Sequence, residues 1–186
     1  SVGNNTTVSN ASATYASWTF RKAPKFFDCV QYTGDGLDDR VLSHSLGSTP
    51  GMVIMKRTSS GTVAQGAWFT YHIGAGFSGG LSLNGTESAG YTYGSPITAA
   101  SDTTVTINNP ANNGNINASG ATYVAYLFAH NNSDGTFGPA GDQDIIKCGS
   151  KTFTANGVYT IDLGFEADFV LWKKSNSTSD WNIMDS

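Results

Sequence analysis

The sequence predicts an all-β protein built from tandem antiparallel β-sandwich units of the jelly-roll kind, and three observations carry that prediction. Short runs of β-branched and aromatic residues recur along the chain, separated by clusters of Gly, Asn, Asp, Ser and Pro. No stretch shows an apolar stripe with a 3.6-residue period. Several blocks of sequence occur twice, in the same order.

Strands are expected at Thr14–Phe20, Asp28–Thr33, Gly51–Lys56, Ala67–His72, Thr103–Ile107, Thr122–Phe128, Ile145–Cys148, Gly157–Leu163 and Phe169–Lys173. Thr14–Phe20 and Thr122–Phe128 are rich in aromatics, and Asp28–Thr33 leads into the Gly-Asp-Gly turn at 34–36. The runs MVIM (Met52–Met55) and FVLW (Phe169–Trp172) are continuously apolar, the pattern of a central strand buried on both faces, and each ends in two cations. By contrast SDTTVTINN alternates, as a strand with one wet face does. Turn clusters at 33–36, 45–51, 57–62, 74–80 and 108–115 separate these segments at the spacing of a sandwich or jelly roll.

The repeat is the strongest signal. NASATYASWTF (Asn10–Phe20) returns as NASGATYVAYLF (Asn117–Phe128) with one added Gly, and FFDCVQYTGDG returns in the order of CGSKTFTANG. SLGSTPGMVIMKR (Ser45–Arg57) matches DLGFEADFVLWKK (Asp162–Lys174), so that Leu46 answers Leu163 and Lys56 answers Lys173 at the same interval. Trp68–His72 is echoed by Trp181–Asp185. A step of about 110–117 residues is domain-sized, too long for a solenoid repeat. The expected organisation is the end of one unit in 1–25, a complete unit in 26–130, a linker in 131–138 and the start of a further unit in 139–186, cut from a longer chain.

Composition narrows the function classes. The chain has 186 residues, a net charge of −4 and only pairs of adjacent cations, which leaves no electrostatic footprint for nucleic acid. No window approaches the run of about 18 apolar residues that a membrane helix needs, so no membrane insertion is expected. Cys29 and Cys148 each lie in an apolar strand-like run, favouring buried free thiols over a disulfide. Six Asn-x-Ser/Thr sequons, at Asn5, Asn10, Asn84, Asn117, Asn132 and Asn176, carry meaning only in a host that glycosylates.

Few residues qualify for chemistry. His44, His72 and His130 stand apart, without the spacing of a metal site, and the repeat places Ile161 opposite His44. No metal, cofactor or catalytic residue is expected. The acidic clusters Gly34–Asp39 and Gly141–Asp144 lack the spacing of a calcium loop and read as turn chemistry, and glycoside hydrolysis would have to draw on Asp pairs, Glu occurring only at 87 and 166. For binding, Trp68, Tyr71, Tyr91 and Tyr93 are the candidates, because sugar rings stack on aromatic faces beside loops; core packing is the competing reading for Trp68, which Trp181 repeats. Lys56-Arg57 and Lys173-Lys174 are expected to be solvated strand ends or to meet an acidic neighbour.

The series YASWTFRKAPKFFDCVQYTGDG, LGSTPGMVIMKR, AWFTYH and TYVAYLFAHNN, closing with LGFEADFVLWKK and DWNIMD, resembles a repeat of tail-fibre and other virion surface proteins of tailed bacteriophages, especially those of marine bacteria. That repeat is similar to concanavalin-A-like lectin sandwiches. The resemblance implies a lectin-like jelly roll, a virion location, and a spacer or host-adhesion role in a homo-oligomer, usually a trimer, with other virion subunits and a host surface glycan as partners. It implies no enzymatic activity. The alternatives are a carbohydrate-binding module of a secreted, extracellular bacterial protein and a polysaccharide depolymerase.

Overall fold

A computed structural model describes residues 10–60, 67–90, 97–108 and 116–185. The strands are β1 (Phe27–Thr33), β2 (Arg40–Ser43), β3 (Pro50–Arg57), β4 (Trp68–His72), β5 (Leu81–Ser82), β6 (Ile97–Ala100), β7 (Thr104–Ile107), β8 (Thr122–Ala129), β9 (Phe169–Lys173) and β10 (Trp181–Asp185). Every pairing is antiparallel, and one short 3-10 turn follows β4 at Ile73–Ala75. The protein is all-β.

Three sheets form. The largest has the order β1-β8-β3-β4-β5, the second β2-β7-β6, and the third is the hairpin of β9 and β10. The first two share one apolar core. Alternation along each strand sends Tyr32, Val53, Met55, Phe69, Tyr71, Tyr123, Ala125 and Leu127 of the larger sheet inward, where they meet Leu42, Ile97, Val105 and Ile107 of the smaller one.

β3, with its run PGMVIMKR, occupies the middle of the five-stranded sheet, between β8 and β4. Its position explains the continuous apolar run: Val53 and Met55 serve the shared core while Ile54 on the opposite face is buried too. β7 instead alternates half-buried Thr104 and Thr106 with buried Val105 and Ile107, as its sequence predicts. Pro50, lacking an N–H, opens β3, and the register against β8 shifts between Pro50 and Met52. Gly51 sits in that shift because a Cβ there would lie 2.7 Å from the Cys148 side chain and 2.8 Å from His130.

The turn after β1 is locked by side chains. Asn117, fully buried, donates from Nδ2 to Asp35 Oδ1 (2.7 Å) and to the Leu37 carbonyl (2.8 Å), and its Oδ1 accepts from Arg40 Nη1 (3.1 Å). Gly34 is required there, since a Cβ would stand 2.1 Å from the Ala118 carbonyl oxygen. Such burial removes Asn117 as an acceptor for a glycan in the folded chain.

Three expected strands do not form. Thr14–Phe20, Ile145–Cys148 and Gly157–Leu163 are extended or irregular segments without ladder partners, whereas β2, β5, β6 and β10 lie outside the predicted set. β-propensity alone marks a segment as fit for a pleated surface, and a ladder also needs a neighbour. The cysteines are free, Cys148 buried and Cys29 half-buried.

Candidate functional site

The repeated sequence blocks become repeated geometry. In the first hairpin Lys56 lies opposite Trp68 and Met52 opposite His72; in the second Lys173 lies opposite Trp181 and Phe169 opposite Asp185. Cross-strand neighbours on one face are within reach of each other, and here the ammonium of each lysine sits over the indole beside it, 5.4 Å from the ring centre for Lys56–Trp68 and 6.0 Å for Lys173–Trp181. One lysine of each pair is therefore a ring partner, while Arg57 donates to Ser59 Oγ (3.3 Å) and to the Ser60 carbonyl (3.2 Å). Lys173 also donates to the Ser179 carbonyl. A lysine and a tryptophan recurring in matched blocks were the sequence signal for this contact, legible only once the two segments are known to pair.

Trp68 is half-buried, with Tyr126 of β8 parallel to it at 6.3 Å between ring centres. Lys56 lies over its ring, and the Trp68 backbone N–H donates to Asn84 Oδ1 (2.8 Å). Tyr71 faces the other way: it is 4% exposed, belongs to the core, and stacks on the exposed Phe77 at 5.4 Å. The structure thus separates Trp68 from Tyr71, neighbours in sequence whose side chains sit on opposite faces of β4 or its rim. Tyr91 and Tyr93 lie outside the described residues. Trp18 and Trp172, which the sequence reading passed over, are about half exposed.

An open cleft of about 450 Å³ lies beside β1 and β2, lined by Lys22, Phe27, Asp28, Cys29, Ser43 and His44 among others. Most of its polar groups are engaged by the chain itself, whereas the buried His44 Nε2 has no hydrogen-bond partner among the described residues. Asp28 accepts from the N–H of Ser45 (2.7 Å) and of Cys29 (2.8 Å) and pairs with Lys22 at 3.0 Å. Burial works against the ionised carboxylate, but those donors outweigh it and hold its pKa below the ordinary range. Burial raises the Cys29 thiol, which keeps it protonated at neutral pH. His44 Nδ1 accepts from the Leu46 N–H (3.2 Å), and burial lowers its pKa.

The other two histidines do the same local work. His72 Nδ1 accepts from Gly74 (3.0 Å) at the 3-10 turn, and His130 Nδ1 accepts from Cys148 (3.1 Å). Among the described residues no three His, Cys, Asp or Glu side chains are grouped to hold a metal ion. The acidic clusters act as turns: Asp35 Oδ1 accepts from Leu37 (3.0 Å), and Asp144 accepts from Ser133 and Gly135 (2.7 Å each). No helix among the described residues is long and apolar enough to cross a membrane.

Fold and sites together define an all-β protein of antiparallel sheets, with a lysine–tryptophan pair on each of two hairpins. Across residues 2–186 the chain matches a family described as a domain of unknown function, DUF7483, and it belongs to that family. No curated protein and no solved structure matches it.

Proposed function

We propose that the chain is a structural component of a bacteriophage virion, part of a tail fibre or similar surface appendage, in which tandem lectin-like sandwich units act as spacers and as host-adhesion modules. The observation that supports this reading is the recurrence of the β3–β4 hairpin as β9–β10 with the same register and the same lysine-over-tryptophan pair. Repetition of a domain-sized unit is how a chain is lengthened into a stalk without a new fold. The resemblance to tail-fibre repeats supplies the virion location and the expectation of a homotrimer.

The test is direct. Mass spectrometry of purified particles from the host system is expected to find the chain, and electron microscopy with light scattering on the full-length gene product is expected to show an elongated oligomer. A compact monomer absent from particles overturns the reading.

A second reading, glycan binding, has its own support in the half-buried Trp68 with Lys56 over its ring and Asn84 bonded to its backbone N–H. Glycan-array binding that Trp68→Ala or Tyr91→Ala abolishes is the expected outcome; no binding at millimolar sugar removes it.

A further inference from the structure

We infer that residues 23–26 and 131–148 form a latch where the chain enters and leaves its largest sheet, and that this latch, ahead of the β1–β8 ladder, bears a pull along the chain. β1 begins at Phe27 and β8 ends at Ala129, and the two strands run antiparallel with Phe27 opposite Phe128, so entry and exit lie side by side. The bonds of an antiparallel ladder are perpendicular to its strands. Tension that draws entry and exit apart therefore acts along those bonds and opens the ladder one pair at a time from the Phe27–Phe128 end.

Bonds between the two segments stand in front of that end. Asn131, 1% exposed, donates from Nδ2 to the Lys25 carbonyl (3.1 Å), and Lys25 Nζ donates to the Asp134 carbonyl (3.1 Å). Phe137 meets Phe26 edge-on at 6.3 Å between ring centres, and Phe20 closes on Phe26, Phe27 and Phe128 at 6.1, 5.6 and 5.5 Å. The Lys25 N–H donates to the Leu46 carbonyl (2.6 Å), which ties the entry to the loop after β2. Lys25 has a left-handed backbone (φ +58°), a conformation that a non-glycine residue keeps when its surroundings hold it.

The exit segment is built to hold its side. At its base the Asn131 N–H donates to the Ile146 carbonyl (2.9 Å), the Ile145 N–H to Asn131 Oδ1 (3.3 Å) and the Cys148 N–H to His130 Nδ1 (3.1 Å). Inside the loop Asp144 accepts from Ser133 and Gly135 (2.7 Å each), which fixes the Asp134 carbonyl between them for Lys25, and Phe137 and Gln143 exchange two backbone bonds (3.2 and 2.9 Å). Gly135 is required, since a Cβ there would lie 2.2 Å from the Gln143 carbonyl oxygen. Adjacent ends and packing by its own side chains make 132–144 a compact Ω-type loop. A fibre under load is where such a latch has its use, and that setting alone rests on the proposed virion role.

The experiment stretches the full chain at constant force between handles on Ala13→Cys and Lys151→Cys in a Cys29→Ser background. Asn131→Ala is expected to raise the rate of opening between the handles about tenfold, and Lys25→Met, which removes only the ammonium bond to Asp134, about threefold. Asn117→Ala acts at the far end of β1 and β8, where Thr33 lies opposite Thr122. It is expected to lower the urea midpoint yet leave the rate under load within about twofold, because contacts still intact at the barrier do not change the rate of crossing it. Equal acceleration by Asn117→Ala and Asn131→Ala, or none by either Asn131→Ala or Lys25→Met, overturns the inference. Absence of the chain from purified particles removes the virion setting and leaves these rates unchanged, so the two failures are told apart.

Discussion

Asn117 shows how a single polar side chain organises a turn. Its amide bonds Asp35, the Leu37 carbonyl and Arg40, and Arg40 in turn lies over the Tyr32 ring at 5.4 Å. Removing the amide leaves buried partners unsatisfied, so Asn117→Ala is expected to cost about 2–4 kcal/mol in urea unfolding, with Asn117→Asp costing at least as much because its carboxylate replaces the donor that faces the Asp35 carboxylate and the Leu37 carbonyl. The titrating groups make a second expectation. Burial holds His44 and His72 below their ordinary value of 6.5, so beneath that pH the unfolded chain binds protons that the folded chain refuses. Asp28 has a lowered pKa; its stabilising contribution is complete above the unfolded value of about 4 and is lost as pH falls through the folded one. The urea midpoint is expected to hold steady from pH 8 to 7, decline below about 6.5 and fall again below about 4, with Asp28→Asn flattening the second step. A midpoint that rises on acidification contradicts both assignments.

At the scale of elements, apolar pattern located the strands that lie inside a sheet. β3, β4, β7 and β8 were readable because both their residue types and their periodicity are those of paired, buried strands. β5 is two residues long and β2 carries the charged Arg40 with an exposed Val41, so neither stands out by composition. Thr14–Phe20 and Ile145–Cys148 read as strands and are not, because neither has a ladder partner, whereas β8, which repeats Thr14–Phe20 in sequence, pairs with β1 along seven positions. The Pro50–Met52 irregularity is an element-scale device as well, giving Cys148 and His130 room against the backbone of β3. Gly51→Ala is expected to cost about 1–3 kcal/mol by overpacking, and Cys148→Gly added to it is expected to recover part of the loss. Full tolerance of the single alanine in thermal unfolding contradicts that packing.

For the whole molecule, the distribution of burial is uneven. Sheets β1-β8-β3-β4-β5 and β2-β7-β6 enclose the apolar core, whereas residues 149–162 are exposed throughout and carry Phe153, Val158 and Ile161 on the surface. Segments with few buried contacts open at low free energy. Limited proteolysis is expected to cut first around Lys151, Phe153 or Tyr159, before any site within β3 or β8, as read by mass spectrometry of the fragments. Initial cleavage inside the five-stranded sheet contradicts this ordering. The candidate site was legible only in part: Trp68 was singled out from its residue type, but Tyr71 beside it belongs to the core, and the lysine over each tryptophan depends on strands far apart in sequence meeting in register.

By itself the sequence determined that the protein is all-β and antiparallel, where β3, β4, β7 and β8 run, and that two hairpins share one pattern, because β-branched and aromatic periodicity is a local property of the chain; FVLW, whose pattern predicts a central strand buried on both faces, is instead β9 of a two-stranded hairpin with Phe169 and Trp172 exposed. Only the tertiary structure decided which strand-like segments become strands and which aromatics face out. A strand exists through its hydrogen-bonded neighbour and a face is buried through the sheet that covers it, and both partners lie far away in sequence.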